Sequence, residues 1–444
     1  MSNEMNDKQP NFLARFMKTA SKIESNELRS VLLAFAFVFT LMAAWYILRP
    51  VRDAMASEWT DTEVSFLWNI NFFVSAIAVA IYGFAVSKIS FKYLVPGVYA
   101  FFATSFVAFY FGVSGVEDRV LIDKIFYVWV SVFSLFHVSV FWSFMSDLFT
   151  KEQSGRLFAF IAAGSSAGAL VGPLIPALFA DNLGTDTLLL IASLVLIIPI
   201  GIVLYLERLK VTDLHNESVH ADLSAAKIGG NPFAGFKMFV TNPYLLAIGA
   251  FILLYTTVGS FVYFEQKNLL AEFYDTREER TAVLAMVDWA VNILTFAIGM
   301  FATSRIVERA GMAVTLALVP FFIAAGLMIL VFAPPMLMLI VVLALQVVRR
   351  AGNYAITRPA REMLFTAVDR ETRFKAKPVI DIVVYRGGDA LSGMAFAGLT
   401  EGVGLGLAAM AAIGSGIAAV WGIVGFYLGR MFGRTEVKNQ EAAG

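Results

Sequence analysis

Gln346-Val-Val-Arg349-Arg350-Ala-Gly-Asn353-Tyr-Ala-Ile-Thr357-Arg358-Pro359-Ala-Arg361 is the stretch that decides the reading, because it sets arginines where lipid is expected. It continues an apolar run, Pro335-Met-Leu-Met-Leu-Ile-Val-Val-Leu-Ala-Leu345, long enough to have entered a bilayer. Gln346, Arg350, Asn353 and Thr357 are spaced by 4, 3 and 4 residues, so a helix carries them as one polar stripe. A charge near the bilayer centre costs at least roughly 2.5–3.5 kcal/mol, and such groups normally face a partner or a wet cavity. The alternative is that Arg349 and Arg350 snorkel to the headgroups. Met336 and Arg349 are separated by roughly 20 Å of helix at about 1.5 Å per residue, which favours a buried polar site. A second apolar run follows, and it holds Asp381, Tyr385, Arg386 and Asp389.

The rest of the chain fits this setting. It has 444 residues, 59% of them hydrophobic and 15% charged, more apolar surface than a soluble fold of this length can hide. The class is an all-α, polytopic membrane protein. Net charge is zero, so no nucleic-acid partner is implied. There is no cysteine and only three histidines, which removes thiol chemistry and argues against a histidine metal site; no metal or cofactor is expected. His137, in the middle of a span, is expected to be a hydrogen-bonded structural residue.

Twelve apolar spans of near the ~20 residues a bilayer requires can be drawn. Six run over 30–52, 63–87, 92–113, 122–148, 156–180 and 186–206. Six more run over 243–267, 280–304, 312–333, 335–359, 377–399 and 404–430. The one long polar insert, 207–242, divides the chain into an N-terminal six-helix half, 30–206, and a C-terminal half, 243–430. These are flanked by an N-terminal segment, 1–29, and a tail, 431–444. With the N-terminus inside, the cytoplasmic segments hold 23 Lys and Arg against 7 on the other face, so both termini are expected in the cytoplasm, with a bacterial inner membrane as the setting. Phe12, Phe16 and Ile23 oppose Arg15, Lys18 and Lys22, which suggests an amphipathic surface helix; Phe233, Phe236, Phe239 and Val240 around Lys237 suggest another.

Two internal echoes share one offset. Gly83-Phe-Ala-Val-Ser-Lys88 and Gly299-Met-Phe-Ala-Thr-Ser-Arg305 start 216 residues apart, as do Leu148-Phe-Thr150 and Leu364-Phe-Thr366. They point to two parallel six-helix repeats, the arrangement of the major facilitators, whose substrate site lies between the halves. Gly299, Arg305, Glu308, Arg309 and Gly311 also resemble the signature of that superfamily at the turn after the eighth helix, and imply that Arg305 and Arg309 pin adjacent helix ends in one state of the cycle. Gly164, Gly168 and Gly172 recur every four residues and allow close helix packing. Gly168-Ala-Leu-Val-Gly172-Pro173 resembles part of an antiporter signature, departing from it at Pro176.

The first span ends Trp45-Tyr-Ile-Leu-Arg49-Pro50-Val-Arg52-Asp53, with Trp45, Arg49, Arg52 and Asp53 on one helical face. Either the span stops at Leu48 and these charges cap it, or it runs on to about Ala56 and they enter a cavity. Glu265 lies 216 residues after Arg49, and the two are candidates for a gate across the outer mouth. Asp288, Asn292 and Thr295 form a polar stripe in the eighth span, and the second span offers Asn71 and Ser75 at nearly matching places. Asp147 is expected to pair with arginines on the cytoplasmic side.

Three blocks in order, Ile47-Leu-Arg49-Pro-Val-Arg52-Asp53, Phe141-Trp-Ser-Phe-Met-Ser-Asp147 with Arg156-Leu-Phe158, and Phe374-Lys-Ala-Lys377-Pro-Val-Ile380-Asp381, resemble the ATP/ADP translocases of plastids and intracellular bacteria. The similarity runs over roughly residues 30–400. It implies that Arg52 stands where those exchangers use a lysine for substrate, and that Asp147, Arg156, Lys375, Lys377 and Asp381 fall on family positions. Tyr385-Arg386-Gly-Gly-Asp389 departs from the family, which carries a lysine there, and Glu265 is displaced from the family glutamate.

The expectation is a secondary carrier, acting as a monomer, that exchanges a small anion, ATP or ADP being the substrate the resemblance implies. Arg52, Arg349, Arg350, Asn353, Arg386, Asp288 and Asn292 are the candidate substrate residues. Arg49, Asp53, Asp147, Glu265, Arg305, Arg309, Asp381 and Asp389 are the candidates for gating or coupling, with Arg386 and Asp389 paired when the site is empty. Proton symport through Asp288 and a non-transporting receptor on the same scaffold are the alternatives. No nucleophile, phosphate loop or metal-ligand spacing supports an enzyme.

Overall fold

The computed structural model describes residues 23 and 24, 26–115, 119–214, 234–368, 376 and 377, and 379–443. The amphipathic segment placed on Phe12–Lys22, and Lys375, lie outside these residues. No strand occurs among the described residues.

The N-terminal half contains α1 (Leu28–Ala56), α2 (Asp61–Lys88), α3 (Phe91–Gly115), α4 (Arg119–Leu148), α5 (Lys151–Val171), α6 (Leu174–Leu183) and α7 (Thr185–Thr212). Helices α5 and α6 make one span broken at Gly172-Pro173. A short helix, α8 (Ala234–Thr241), precedes the second half, and its Phe239 ring packs on Gly249. Then come α9 (Pro243–Phe273), α10 (Arg277–Phe301), α11 (Thr303–Phe332), α12 (Pro335–Gly352), α13 (Arg358–Leu364), α14 (Tyr385–Ala397) and α15 (Leu407–Ala443). A π-helical turn, Asn353–Thr357, joins α12 to α13, and two more, Val379–Val384 and Gly398–Gly402, flank α14.

Eleven helical stretches among the described residues are long and apolar enough to cross a membrane. The twelfth expected span is present as α14 with its two π-helical flanks, one uninterrupted helical run from Val379 to Gly402. The first span does not stop at Leu48. Pro50 removes one backbone donor, yet α1 runs to Ala56 because Arg49, Arg52 and Asp53 find charged partners along its last turns.

The duplication is visible in the helix caps. Thr60 caps α2 and receives Glu63 in return; Thr276 and Glu279 do the same for α10, at the same offset of 216 residues. Each half has its own apolar core. In the first, Phe37 sits edge-on to Tyr99 and Phe141. In the second, Phe251 and Tyr255 surround the buried Trp421. Phe73, Ile81, Ile329 and Met336 point outward, each more than 60% exposed, which suits a lipid-facing surface and not an aqueous one.

The halves meet through α10 against α1 and α6, and through α14 against α2. At the end of the bundle remote from the chain termini, this meeting is ionic. Lys267 pairs with Asp61 at 2.9 Å and donates to the Trp59 carbonyl at 2.6 Å, all buried. Arg277 reaches across to Glu58 and Asp123 at 2.5 and 2.7 Å. The Glu401 carboxylate accepts from the backbone N–H groups of Asp61 and Thr62 at the start of α2. This end is closed.

Candidate functional site

Below the closed end lies a polar cavity of about 220 Å³ between the halves. Helix α1 contributes Arg49, Arg52 and Asp53. From α2 and α4 come Trp68, Asn71, Tyr127, Ser131 and Ser134. The other wall is built by Tyr255, Gly259, Ser260 and Tyr263 of α9, Gln346, Arg349 and Arg350 of α12 with Tyr354 of the π-helical turn, and Tyr385, Arg386 and Asp389 of α14. Five arginines thus face two lining carboxylates, and the wall is positively charged.

Each arginine is held differently. Arg52 donates to Asp53 through Nε at 3.0 Å and Nη2 at 2.7 Å, and lies 5.6 and 5.5 Å from the ring centres of Trp45 and Tyr127. Arg349 donates to Gln346, which donates to Gln266 at 2.5 Å. Gly259 lies against it, a Cβ there standing 2.9 Å from the Arg349 guanidinium. Arg49 and Arg350 both contact Asp288, at 3.3 and 2.5 Å. Arg386 lines the cavity and makes no ion pair among the described residues.

The cavity roof is aromatic. The Trp68 indole donates to the Tyr127 hydroxyl at 2.7 Å, and that hydroxyl lies 3.3 Å from the Tyr263 hydroxyl of the opposite half. These rings separate the cavity from the ionic layer above.

Of the expected substrate residues, Arg52, Arg349, Arg350 and Arg386 come together here. Three do not line the cavity. Asp288 is buried behind the wall and bridges two arginines. Asn292 receives the Tyr46 hydroxyl and donates to the Ala169 carbonyl, joining α10 to α1 and α5. Asn353 opens the π-helical turn and is absent from the lining, whereas Tyr354, four residues after Arg350, faces the cavity.

Several expected pairs are replaced. Arg49 does not pair with Glu265; it pairs with Asp53 and Asp288, while Glu265 is 2% exposed with neither oxygen hydrogen-bonded among the described residues. Arg386 and Asp389 form no ion pair with each other. Asp147, expected to meet arginines, has Lys210 of α7 among its partners, at 2.8 Å. Arg305 and Arg309 are exposed and make no ion pair among the described residues, so they pin no helix ends here. Asp381 lies 3.4 Å from Arg361, beside the pair formed by Lys377 and Glu362, at the termini-side end of the second half. Arg156 binds Glu27 at 2.7 Å; burial pushes the Glu27 carboxyl up, but the hydrogen bonds from Arg156 and the Glu24 backbone outweigh it and hold the group below the usual range. His137 is buried, stacked on Trp45, with Nδ1 3.0 Å from the Ser134 carbonyl, as a structural residue should be.

Tyr127, Tyr255 and Tyr263 went unnoticed in the sequence. Tyr127, Ser131 and Ser134, spaced 4 and 3, and Tyr255, Gly259 and Tyr263, spaced 4 and 4, are polar stripes of the same kind as the arginine one. Among the described residues no cluster of His, Asp and Glu is placed to hold a metal ion.

The duplicated bundle with a central charged cavity defines a membrane carrier, and the comparisons agree. The model of the Major Facilitator Superfamily matches residues 33–360, and the chain belongs to that family. It is 20% identical over 340 residues to ADP,ATP carrier protein 1 of Chlamydia pneumoniae, covering 68% of this chain and 66% of that protein. It is 23% identical over 282 residues to ADP,ATP carrier protein 1 of Chlamydia muridarum, covering 56% of this chain and 53% of the relative. The matched stretch therefore spans about half to two thirds of these carriers. Among solved structures, a bacterial homologue of the iron transporter ferroportin in its inward-facing state superposes with a TM-score of 0.65 at 14% identity, covering 91% of this chain and 99% of that one. The fold is that of a major facilitator; the protein is a membrane transporter and not an enzyme.

Proposed function

We propose that this transporter exchanges one small anionic solute for another by alternating access, with the arginine-lined cavity as its binding site and a nucleotide as the substrate. The observation that carries this is the charge of the wall: Arg49, Arg52, Arg349, Arg350 and Arg386 against Asp53 and Asp389. Guanidinium groups suit bidentate contacts with phosphate or carboxylate, and those contacts strengthen in a low-dielectric cavity. Tyrosine and tryptophan faces on both walls offer stacking surfaces for a nucleobase. The similarity to ADP,ATP carriers supports the same substrate class. A positive cavity is unfavourable when empty, which slows reorientation without cargo and favours exchange over net uptake. In this reading the carrier works as a monomer in a bacterial inner membrane with both termini in the cytoplasm, closed toward the outside.

Counterflow in proteoliposomes tests the proposal. Labelled ADP, ATP, phosphate and a dicarboxylate are offered to vesicles loaded with each unlabelled anion. Uptake accelerated by internal anion is expected. Uptake driven by a pH gradient alone, indifferent to internal anion, would overturn exchange. Proton coupling then falls on Asp389, which lines the cavity without an ion pair among the described residues, since Asp288 is committed to two arginines.

A further inference from the structure

Asp288 holds a position that anion transport alone does not explain. It lies on α10, 3% exposed, and its Oδ1 touches Arg350 of its own half and Arg49 of the opposite half. Arg49 also approaches Asp53 at 3.6 Å, and Asp53 is held by Arg52. The result is a ladder of alternating charge, Arg52, Asp53, Arg49, Asp288, Arg350, running from one half to the other. It contains three cations and two anions. A further oxyanion would complete it.

The group that would receive that oxyanion is Arg350. Its Nη1 faces Asp288, but Nε and Nη2, the two parallel donors of its side edge, are shielded and have no hydrogen-bond partner among the described residues. Arg350 as a whole is 6% exposed and forms part of the cavity wall. Unpaired donors on a buried guanidinium are costly, and a side-on fork matches two oxygens of a carboxylate or phosphoryl group.

We propose that Asp288 is a tethered stand-in for the transported anion: it holds Arg350 when the cavity is empty, and the oxyanion of the substrate takes Arg350 over through the Nε and Nη2 edge. The inference rests on the anion-carrier reading and adds how cargo is sensed. Because Asp288 also grips Arg49, withdrawing Arg350 from it alters a link between the halves, so the empty carrier is held and the loaded carrier is released. Asp288 is a positioning residue in this account. It competes with substrate and never touches it.

Competition makes a prediction that a structural role does not. If Asp288 occupies Arg350 in about nine empty carriers of ten, removing it raises anion affinity about tenfold. Purified full-length protein is titrated with ADP and with inorganic phosphate at constant ionic strength, read by tryptophan fluorescence, since Trp45 and Trp68 adjoin the site. Asp288→Asn should bind about tenfold more tightly than the parent, and in proteoliposomes should take up anion without internal anion. Asp288→Asn with Arg350→Gln should lose the gain. Weaker or unchanged binding by Asp288→Asn, with a parent that binds, overturns the stand-in and leaves the anion carrier standing. A parent that binds neither probe and exchanges no anion removes the carrier reading and the stand-in with it. If Asp288→Asn yields no folded protein, Arg350→Lys decides. Lysine still pairs with Asp288 but has no side edge, so affinity should fall about tenfold at unchanged folded yield; unchanged affinity overturns the proposal.

Discussion

Lys267 and Asp61 form the most buried ion pair between the halves, 4% and 4% exposed as residues, and each has a second partner. Two desolvated charges that satisfy each other are close to neutral as a pair, whereas one left alone is expensive. Lys267→Met should therefore cost about 3–5 kcal/mol, and Lys267→Met with Asp61→Leu should recover most of it. Thermal unfolding in detergent measures both. Equal stability of the single and double variants would mean that water reaches the site and the pair is not desolvated. At the cavity, Arg386→Gln removes a charge with no ion-pair partner among the described residues. It should leave the unfolding temperature within a few degrees of the parent while weakening anion uptake about tenfold or more.

At the scale of an element, the approach of α5 to α1 is set by glycines. A Cβ at Gly168 would stand 2.2 Å from the Phe39 carbonyl oxygen, and one at Gly164 2.5 Å from that of Phe35. Both obstacles are backbone, which cannot yield without moving a helix. Gly168→Ala should destabilise by about 1–3 kcal/mol through overpacking. Gly155 lies on the same helix, and a Cβ there meets nothing within 4 Å. Gly155→Ala should instead gain about 0.5–1 kcal/mol from lost chain entropy. Unfolding temperatures of the two variants, measured side by side, should move in opposite directions. The elements that depart from regular α-helix, the π-helical turns around α14 and after α12, adjoin the cavity wall. Tyr354, four residues after Arg350, shares the Arg350 face and lines the cavity, whereas Asn353 does not.

For the whole molecule, the ionic layer closes one end and the cavity lies below it. The closed end carries Glu58 and Arg277 from different halves. The chain has no cysteine, so introduced ones are the sole reactive thiols. Cysteines at 58 and 277, once cross-linked, should abolish counterflow, and reduction should restore it; undiminished transport in the cross-linked form would show that this end need not open. Single cysteines at Lys237, on α8, and at Asp275, between α9 and α10, should react with impermeant reagents from opposite sides of the membrane. Labelling from one side would refute the paired six-helix topology.

Local chemistry made much of this legible in the sequence. Hydropathy over about 20 residues and the excess of Lys and Arg in alternate connections need no tertiary information, so the spans, the repeat and the family could be read directly. The cavity arginines 52, 349, 350 and 386 were equally readable, because a charge inside an apolar run is costly wherever the helix packs. Partnership was not readable. Which carboxylate meets Arg49 depends on the rotation of α1 against α10, and the 216-residue equivalence that suggested Glu265 relates positions within the repeats, not contacts between them. Asn353 shared a stripe with Gln346 and Arg350, and Asn292 with Asp288, yet Asn292 was drawn into a helix interface and Asn353 lies outside the cavity lining. Spacing along one helix determines which side chains share a face; only the docking of the two halves decided what that face would meet.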